Sequence, residues 1–103
     1  MEYKPLHDSL TIKKSHIEGL GIFAYKQIPK NTLLGITHIK SKNVGSYFPQ
    51  DIIRTPLGGF LNHSEEPNCF IKQKEFIWEL VTKKMIEEND EILIKYFPNF
   101  MNF

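Results

Sequence analysis

The residue types with the clearest chemical potential lie in three short segments of the chain. Residues 19–21 read Gly-Leu-Gly, and such a turn lets the backbone approach a ligand without interference from side chains. Residues 62–64 read Asn-His-Ser, and the asparagine carboxamide offers both a donor and an acceptor to a zwitterionic amino-acid group. Residues 90–96 form an apolar, strand-like run that begins with two acids and ends on Tyr96, whose phenol can orient an amine.

Short strands are the elements that must position these residues. Segments rich in β-branched and aromatic residues occur at 10–14, 22–25, 33–39, 69–72, 75–83 and 91–96. Alternation with period two is clearest over 75–83. No apolar pattern of helical period is long enough for a sizeable helix, and single turns near 49–54 and 84–88 are the best candidates. The pattern predicts a mostly β chain with little helix, and no internal repeat is apparent.

The three segments, in this order, resemble the SET domain of protein lysine methyltransferases. The matching residues are Glu18-Gly19-Leu20-Gly21-Ile22-Phe23, then Asn62-His63-Ser64 with Pro67-Asn68-Cys69, then Asp90-Glu91-Ile92-Leu93-Ile94-Lys95-Tyr96. Each segment alone is a weak signal, whereas the ordered set is specific. The resemblance spans nearly all 103 residues, which predicts one minimal SET domain over residues 1–103, similar in scale to viral SET proteins.

The resemblance implies a fold of several short curved β-sheets in which the C-terminal segment threads past the Asn-His-Ser loop in a knot-like arrangement. It also implies S-adenosyl-L-methionine as cofactor. The positions that match the family's cofactor-binding residues are Gly19, Leu20, Gly21, Phe23, Asn62 and His63. We expect His63 to act largely through its backbone and by packing under the adenine.

Tyr96 matches the family's catalytic tyrosine. The reaction requires a neutral amine, and a free lysine with a pKa of about 10.4 is uncharged at pH 7 only at a cost of about 4.6 kcal/mol. Because tyrosine also titrates near pH 10, we expect Tyr96 to orient the amine rather than to deprotonate it. The positive charge of the sulfonium donor and an apolar channel would disfavour an ammonium there.

The lysine channel is the part of the site that the sequence defines least. Candidate substrate-binding residues are Tyr47, Phe60 and Phe100, and the carbonyls near Phe60 and Leu61 are candidates to surround the methyl group. Two positions that are commonly glycine in the family are Asn31 and Asn89 here, and asparagine is the next-best residue for a left-handed turn. Glu65 stands where many relatives have cysteine, so no zinc-binding appendage and no metal are expected.

Composition and charge restrict the partners. A net charge of +1 argues against nucleic-acid binding as the main role, and no apolar run is long enough to span a membrane. Residues 43–103 carry nine acids against six bases, which fits either solvated strand faces or an acidic rim that attracts a basic peptide. Without an apolar leader at the start, we expect an intracellular protein, cytoplasmic or, if viral, in the host nucleus.

The leading interpretation is an S-adenosylmethionine-dependent protein lysine N-methyltransferase acting on a lysine-containing protein or peptide. The alternative from another class is a non-catalytic peptide-binding module on a SET scaffold, which would release no heat with the cofactor. Methylation of a small amine is a third reading, favoured only if no peptide binds. The sequence leaves open whether a second copy completes the groove, as in a homodimer.

Overall fold

The computed structural model of the chain describes residues 6–40 and 52–96, which are mostly β. The strands, in chain order, are β1 (Leu10–Lys14), β2 (Leu20–Ala24), β3 (Leu33–Lys40), β4 (Ile52–Arg54), β5 (Asn62–His63), β6 (Cys69–Gln73), β7 (Ile77–Thr82) and β8 (Leu93–Ile94), with one helix, α1 (Pro56–Gly59), between β4 and β5. In this part of the chain no helix is long and apolar enough to cross a membrane.

The strands form three small sheets. Strands β1 and β2 make an antiparallel hairpin, and a four-stranded antiparallel sheet has the order β4-β3-β7-β6. The third sheet pairs β5 with β8 in parallel, although the two strands are remote in sequence. The prediction of a mostly β fold with several small sheets and little helix is therefore confirmed. The knot-like threading of the C-terminal segment past the Asn-His-Ser loop stays a prediction, because residues 97–103 lie outside the described residues.

Helix α1 begins where two local signals coincide. Thr55 is its N-cap, and the Thr55 hydroxyl accepts a hydrogen bond of 3.2 Å from the Gly58 backbone N–H. Pro56 occupies the first turn, where a missing N–H costs nothing. The predicted helical turns near 49–54 and 84–88 are wrong within the described residues: 52–54 are strand, and the second segment contains an extended bridge at Ile86.

The interior contains two kinds of buried titratable group that stay neutral. Burial, with a smaller contribution from Arg54, lowers the pKa of His38 to about 4, so the ring in β3 is uncharged at neutral pH. Burial raises the pKa of the Cys69 thiol to about 12, and this side chain is 1% exposed. His38 lies outside the segments singled out from the sequence, whereas Cys69 ends the segment Pro67-Asn68-Cys69, and both side chains are buried.

An internal repeat, which was not apparent from the sequence, links the two halves of the chain. Ile28 and Ile86 donate backbone hydrogen bonds to each other at 2.8 Å. The turn after each isoleucine closes on the other half, because Asn31 N–H donates to the Thr82 carbonyl and Asn89 N–H to the Ala24 carbonyl. Ile28 and Ile86 are 58 residues apart, as are Asn31 and Asn89. Six of the largest buried side chains form pairs with this same spacing: Ile22 and Leu80, Ile28 and Ile86, and Leu34 and Ile92.

Both turns of the repeat use a left-handed residue. Asn31 has a φ of 66° and Asn89 a φ of 74°, and among the described residues other than glycine only these two have positive φ. Asparagine tolerates this region better than other non-glycine residues, because its short polar side chain can hydrogen-bond locally. The sequence prediction for these two positions therefore matches the backbone observed.

We predict that Asn31→Ala lowers the free energy of unfolding by about 1 kcal/mol, because the alanine Cβ is disfavoured in the left-handed region and alanine has no polar side chain to hydrogen-bond locally. Asn31→Gly should leave the free energy of unfolding unchanged or slightly higher, because glycine has no Cβ. Lys30→Ala, in the same exposed turn without positive φ, is the matched control and should change it by less than about 0.5 kcal/mol. Urea unfolding measures all three. Equal losses for Asn31→Ala and Lys30→Ala would contradict the prediction.

Candidate active site

The side chain of Asn68 joins the two distant parts of the chain that form the site. Its Oδ1 accepts a hydrogen bond of 2.8 Å from Leu93 N–H, and its Nδ2 donates one of 2.8 Å to the Glu91 carbonyl. Its backbone N–H donates to the Leu93 carbonyl at 3.2 Å. Asn68 is 8% exposed, so these bonds lie in the interior, where an unpaired backbone group is costly. The loop after β5 is thereby fixed against the strand that leads to Tyr96.

The parallel pairing of β5 with β8 brings Asn62 and His63 beside the C-terminal strand. Asn62 is opposite Leu93, and His63 is opposite Ile94. His63 Nδ1 accepts a hydrogen bond of 2.9 Å from Tyr96 N–H, and the two rings are tilted with centroids 5.0 Å apart. Because Nδ1 is an acceptor, it carries no proton in this arrangement. His63 thus fixes the backbone of Tyr96.

The Tyr96 hydroxyl donates a hydrogen bond of 2.6 Å to the Leu61 carbonyl. Burial raises the pKa of Tyr96, the negative charge of Glu18 adds to the shift, and Arg54 opposes it. The phenol therefore keeps its proton at neutral pH. With its proton committed to Leu61, the hydroxyl oxygen can accept a hydrogen bond from another group.

Glu91 is the centre of a second set of contacts beside Asn62. Ser15 Oγ lies 2.9 Å from each carboxylate oxygen of Glu91, and Asn62 Nδ2 donates to Oε2 at 2.8 Å. The same Nδ2 lies 3.2 Å from the Glu18 carbonyl and 3.4 Å from the Leu20 carbonyl. No ion pair within residues 6–40 and 52–96 involves Glu91.

Sequence reasoning missed this role of Glu91, because it grouped the residue with solvated acids or an acidic rim. No local signal in the sequence indicated it, because these contacts depend on the pairing of Glu91 with Phe23 in an antiparallel bridge, beside the fully buried Ile92. The Glu91 carboxylate does not extend freely into solvent, because Ser15 and Asn62 donate hydrogen bonds to it.

The two glycines of residues 19–21 do different things. Gly19 has a φ of +48°, and a Cβ added there would meet nothing within 4 Å, so its role is conformational and the space beside it is open. A Cβ on Gly21 would collide with the Glu91 carboxylate and approach Asn62 Nδ2 at 3.2 Å. Gly21 is therefore required for close packing of the carboxylate.

The other residues singled out from the sequence are distributed as follows. Leu20 is half exposed and contributes its carbonyl, and Phe23 is buried on the same side of β2 as Gly21. Phe60 is partly buried and packs against the core next to the Leu61 carbonyl. Tyr47 and Phe100 lie outside the described residues.

Glu65 lies in the loop after β5 and forms an exposed network of charged groups. It bonds Lys95 at 3.2 Å and His63 Nε2 at 3.3 Å. These two hydrogen bonds, with the charge of Lys95, lower the pKa of the Glu65 carboxyl. Because Lys95 immediately precedes Tyr96, the pair adds a surface link between the β5 loop and the end of β8.

The arrangement can bind a ligand that carries a positive charge. The half-buried Glu91 carboxylate and the carbonyls of Glu18 and Leu20 are acceptors on one small area of surface. Within the described ranges, no donor is hydrogen-bonded to Asn62 Oδ1, which is a further acceptor. The Tyr96 hydroxyl, which is bonded to the carbonyl of the residue before Asn62, offers a neutral acceptor. A charged ligand and a neutral nucleophile could meet here.

Comparison with known proteins identifies the family. Residues 39–97 match the SET domain, more than half of the sequence, and the chain therefore belongs to the SET domain family. By sequence comparison with curated proteins, no match is found.

Solved structures share the fold. A Plasmodium falciparum candidate histone methyltransferase superposes with a TM-score of 0.71 at 24% identity, over 87% of this chain and 94% of that chain. The Chaetomium thermophilum Polycomb Repressive Complex 2 bound to GSK126 superposes with a TM-score of 0.69 at 17% identity, over 93% of this chain and 17% of that chain. At these identities the likeness establishes the architecture alone.

We predict that Asn68→Ala lowers the free energy of unfolding by about 2–3 kcal/mol, because it leaves the Glu91 carbonyl and the Leu93 N–H in the interior without the hydrogen bonds of the carboxamide. Ser64→Ala, in the same loop, removes one bond to the exposed Glu66 N–H and should cost less than about 1 kcal/mol. Denaturant unfolding checks both. The role assigned to Asn68 is wrong if the two variants lose the same amount.

Proposed function

We propose that this protein is an S-adenosyl-L-methionine-dependent protein lysine N-methyltransferase, with Tyr96 as the catalytic residue. The observation that supports the proposal best is the Tyr96 hydroxyl bonded to the Leu61 carbonyl at 2.6 Å, one residue from Asn62. A neutral phenol, a carboxamide and a glycine turn from three distant segments converge there. Membership of the SET domain family supports the same reading.

The residues proposed to bind the cofactor are Gly19, Leu20, Gly21, Phe23, Asn62 and His63, to which the structure leads us to add Glu91. S-adenosylmethionine carries an ammonium, a sulfonium and a carboxylate, with a net positive charge. Within the described residues no cation pairs with the Glu91 carboxylate, so the ammonium of the cofactor can be its ion-pair partner. Asn62 Oδ1 can accept from the same ammonium, while its Nδ2 keeps Glu91 in place.

The lysine substrate is proposed to approach Tyr96 from the side of Phe60 and Leu61. The hydroxyl donates to Leu61, so its lone pair can accept a hydrogen bond from a neutral amine and orient the nitrogen lone pair. The raised pKa of Tyr96 excludes an ionised phenolate at neutral pH, which fits orientation rather than proton abstraction. Water accepts the proton that the ammonium loses.

When bound, the cofactor supplies an electrophilic methyl group on a positively charged sulfur. The chemistry that it would supply is transfer of this methyl group to the lysine nitrogen, with the sulfur left as a neutral thioether. Residues of this chain contribute by fixing the two reactants in line, which is worth several kcal/mol of barrier. The substrate is proposed to be a lysine in a protein or peptide, and the unit that acts on it the single domain of residues 1–103.

We predict that Tyr96→Phe lowers methyl transfer to lysine-rich proteins at least about 100-fold, because the amine loses its orienting acceptor. Affinity for S-adenosylmethionine should change less than about threefold. Tyr25→Phe, an exposed tyrosine outside the proposed site, is the matched control and should keep full activity. Incorporation of labelled methyl groups measures the rates. Lack of incorporation by the wild type, with Tyr96→Phe indistinguishable from it, would reject the enzyme.

We predict that Glu91→Gln weakens S-adenosylmethionine binding at least about tenfold, since the variant keeps the size of the side chain and removes its charge. Gly21→Ala should weaken it further, because the new methyl group displaces the carboxylate. Glu88→Gln, an exposed acid three residues away, is the control. Calorimetry gives the dissociation constants. A wild-type chain that binds a lysine peptide but releases no heat with the cofactor would instead be a peptide-binding module.

A further inference from the structure

The four-stranded sheet has an apolar side that faces away from the core. Side chains alternate between the two sides of a strand, so the registers of β4, β3, β7 and β6 define this side. We call this side the outer face. It consists of three rows of neighbouring residues: Ile53, Ile39 and Ile77; Ile36, Glu79 and Lys72; and Leu33, Val81 and Phe70. Seven of these nine residues are apolar, whereas a sheet side in contact with water normally alternates to polar residues.

The apolar residues of the outer face are accessible in the structure. Ile53 is 59% exposed, Leu33 51%, Phe70 42%, Ile39 39% and Ile36 38%. Exposures of this size on five large side chains leave roughly 400–500 Å² of contiguous apolar surface, at the upper end of what a monomer typically shows. Single exposed apolar residues need no explanation, but a patch that crosses four strands indicates a contact surface.

We propose that the outer face packs against the outer face of a second copy of this chain, so that two four-stranded sheets form a sandwich about a two-fold axis. The charge of the face favours a like partner. The nine residues include one acid, Glu79, and one base, Lys72, so their formal charges cancel, and Glu79, which is 12% exposed, also forms an ion pair with Lys74 at 3.2 Å. A basic or acidic partner would find little net charge to pair with, whereas an identical neutral face is complementary to it.

The area agrees with what a stable dimer needs. A standard interface buries about 800 Å² on each partner, and homodimer interfaces are about 65% apolar, which requires roughly 500 Å² of apolar surface from each copy. The five exposed side chains come close to this value, and the partly buried Ile77 and Val81 add to it. The hydrocarbon stem of Lys72 extends the contact at the edge.

Packing face to face fits better than pairing edge to edge. Strand β4, at one edge of the sheet, has only three residues. Strand β6, at the other edge, carries Lys72 and is followed by Lys74, and lysines on an edge strand oppose pairing with another chain. The proposal goes beyond the proposed function, because none of the residues assigned to the active site belongs to the outer face.

The test is sedimentation equilibrium of the purified chain from about 1 μM to 1 mM, with Ile53→Glu and Ile17→Glu as a matched pair. Both isoleucines are similarly exposed, at 59% and 53%, but Ile17 lies in the turn between β1 and β2. We expect the wild type and Ile17→Glu to form a dimer reversibly, and Ile53→Glu to weaken dimerisation at least about 100-fold. Circular dichroism verifies that the variants fold, and Phe70→Glu on β6 repeats the test at the opposite edge.

A wild-type chain that stays monomeric throughout this range overturns the proposal, and so does a dimer that tolerates a glutamate at both position 53 and position 70. Equal weakening by Ile17→Glu would move the interface to the β1–β2 hairpin and equally reject the outer face. A monomer that captures an unrelated protein through these residues would show that the face has a different partner.

Discussion

The site depends on the carboxamide of Asn68, which hydrogen-bonds backbone groups of the C-terminal segment as a neighbouring strand would. Asn68 satisfies an N–H and a carbonyl of the C-terminal segment on either side of Ile92. A two-residue parallel pairing such as that of β5 and β8 would be too short to persist alone, because parallel ladders are individually weak. With Asn68 in place, the Leu61 carbonyl and the Tyr96 hydroxyl meet, and every proposed step of the chemistry requires that meeting.

Electrostatics divides the site into an anionic part and a neutral part. The anionic part contains Glu91, bonded by Ser15 and Asn62, and Gly21 makes the room that the carboxylate needs. The neutral part contains Tyr96, whose raised pKa keeps the phenol protonated. A cationic donor and an uncharged amine require these two environments to be adjacent, and they are brought together by residues from opposite ends of the described chain.

Local signals in the sequence predicted six of the eight described strands, whereas β4 was expected to be a helical turn and β5 was not predicted. The resemblance to the family pointed to the left-handed residues Asn31 and Asn89 and to the segments of the candidate site. These signals are short in range: alternation, turn preference and motif spacing. The contacts of Glu91 and the apolar outer face could not be predicted, because each depends on which strands become neighbours. Helix α1 was missed because four residues are too few to show a helical period. The partners of the Asn68 carboxamide lie more than 20 residues away along the chain, so no local pattern indicates them.

The reciprocal turns at Asn31 and Asn89 have a consequence for how the chain reaches its native state. Each turn completes its backbone bonding on a strand from the other half, so neither half alone has partners for these turn N–H groups. Cooperative docking of both halves must therefore precede any stable structure, and the entropy of closing a long loop is lost before these contacts form. Severed between β3 and β4, the two fragments should each be unstructured in isolation and regain order only when mixed.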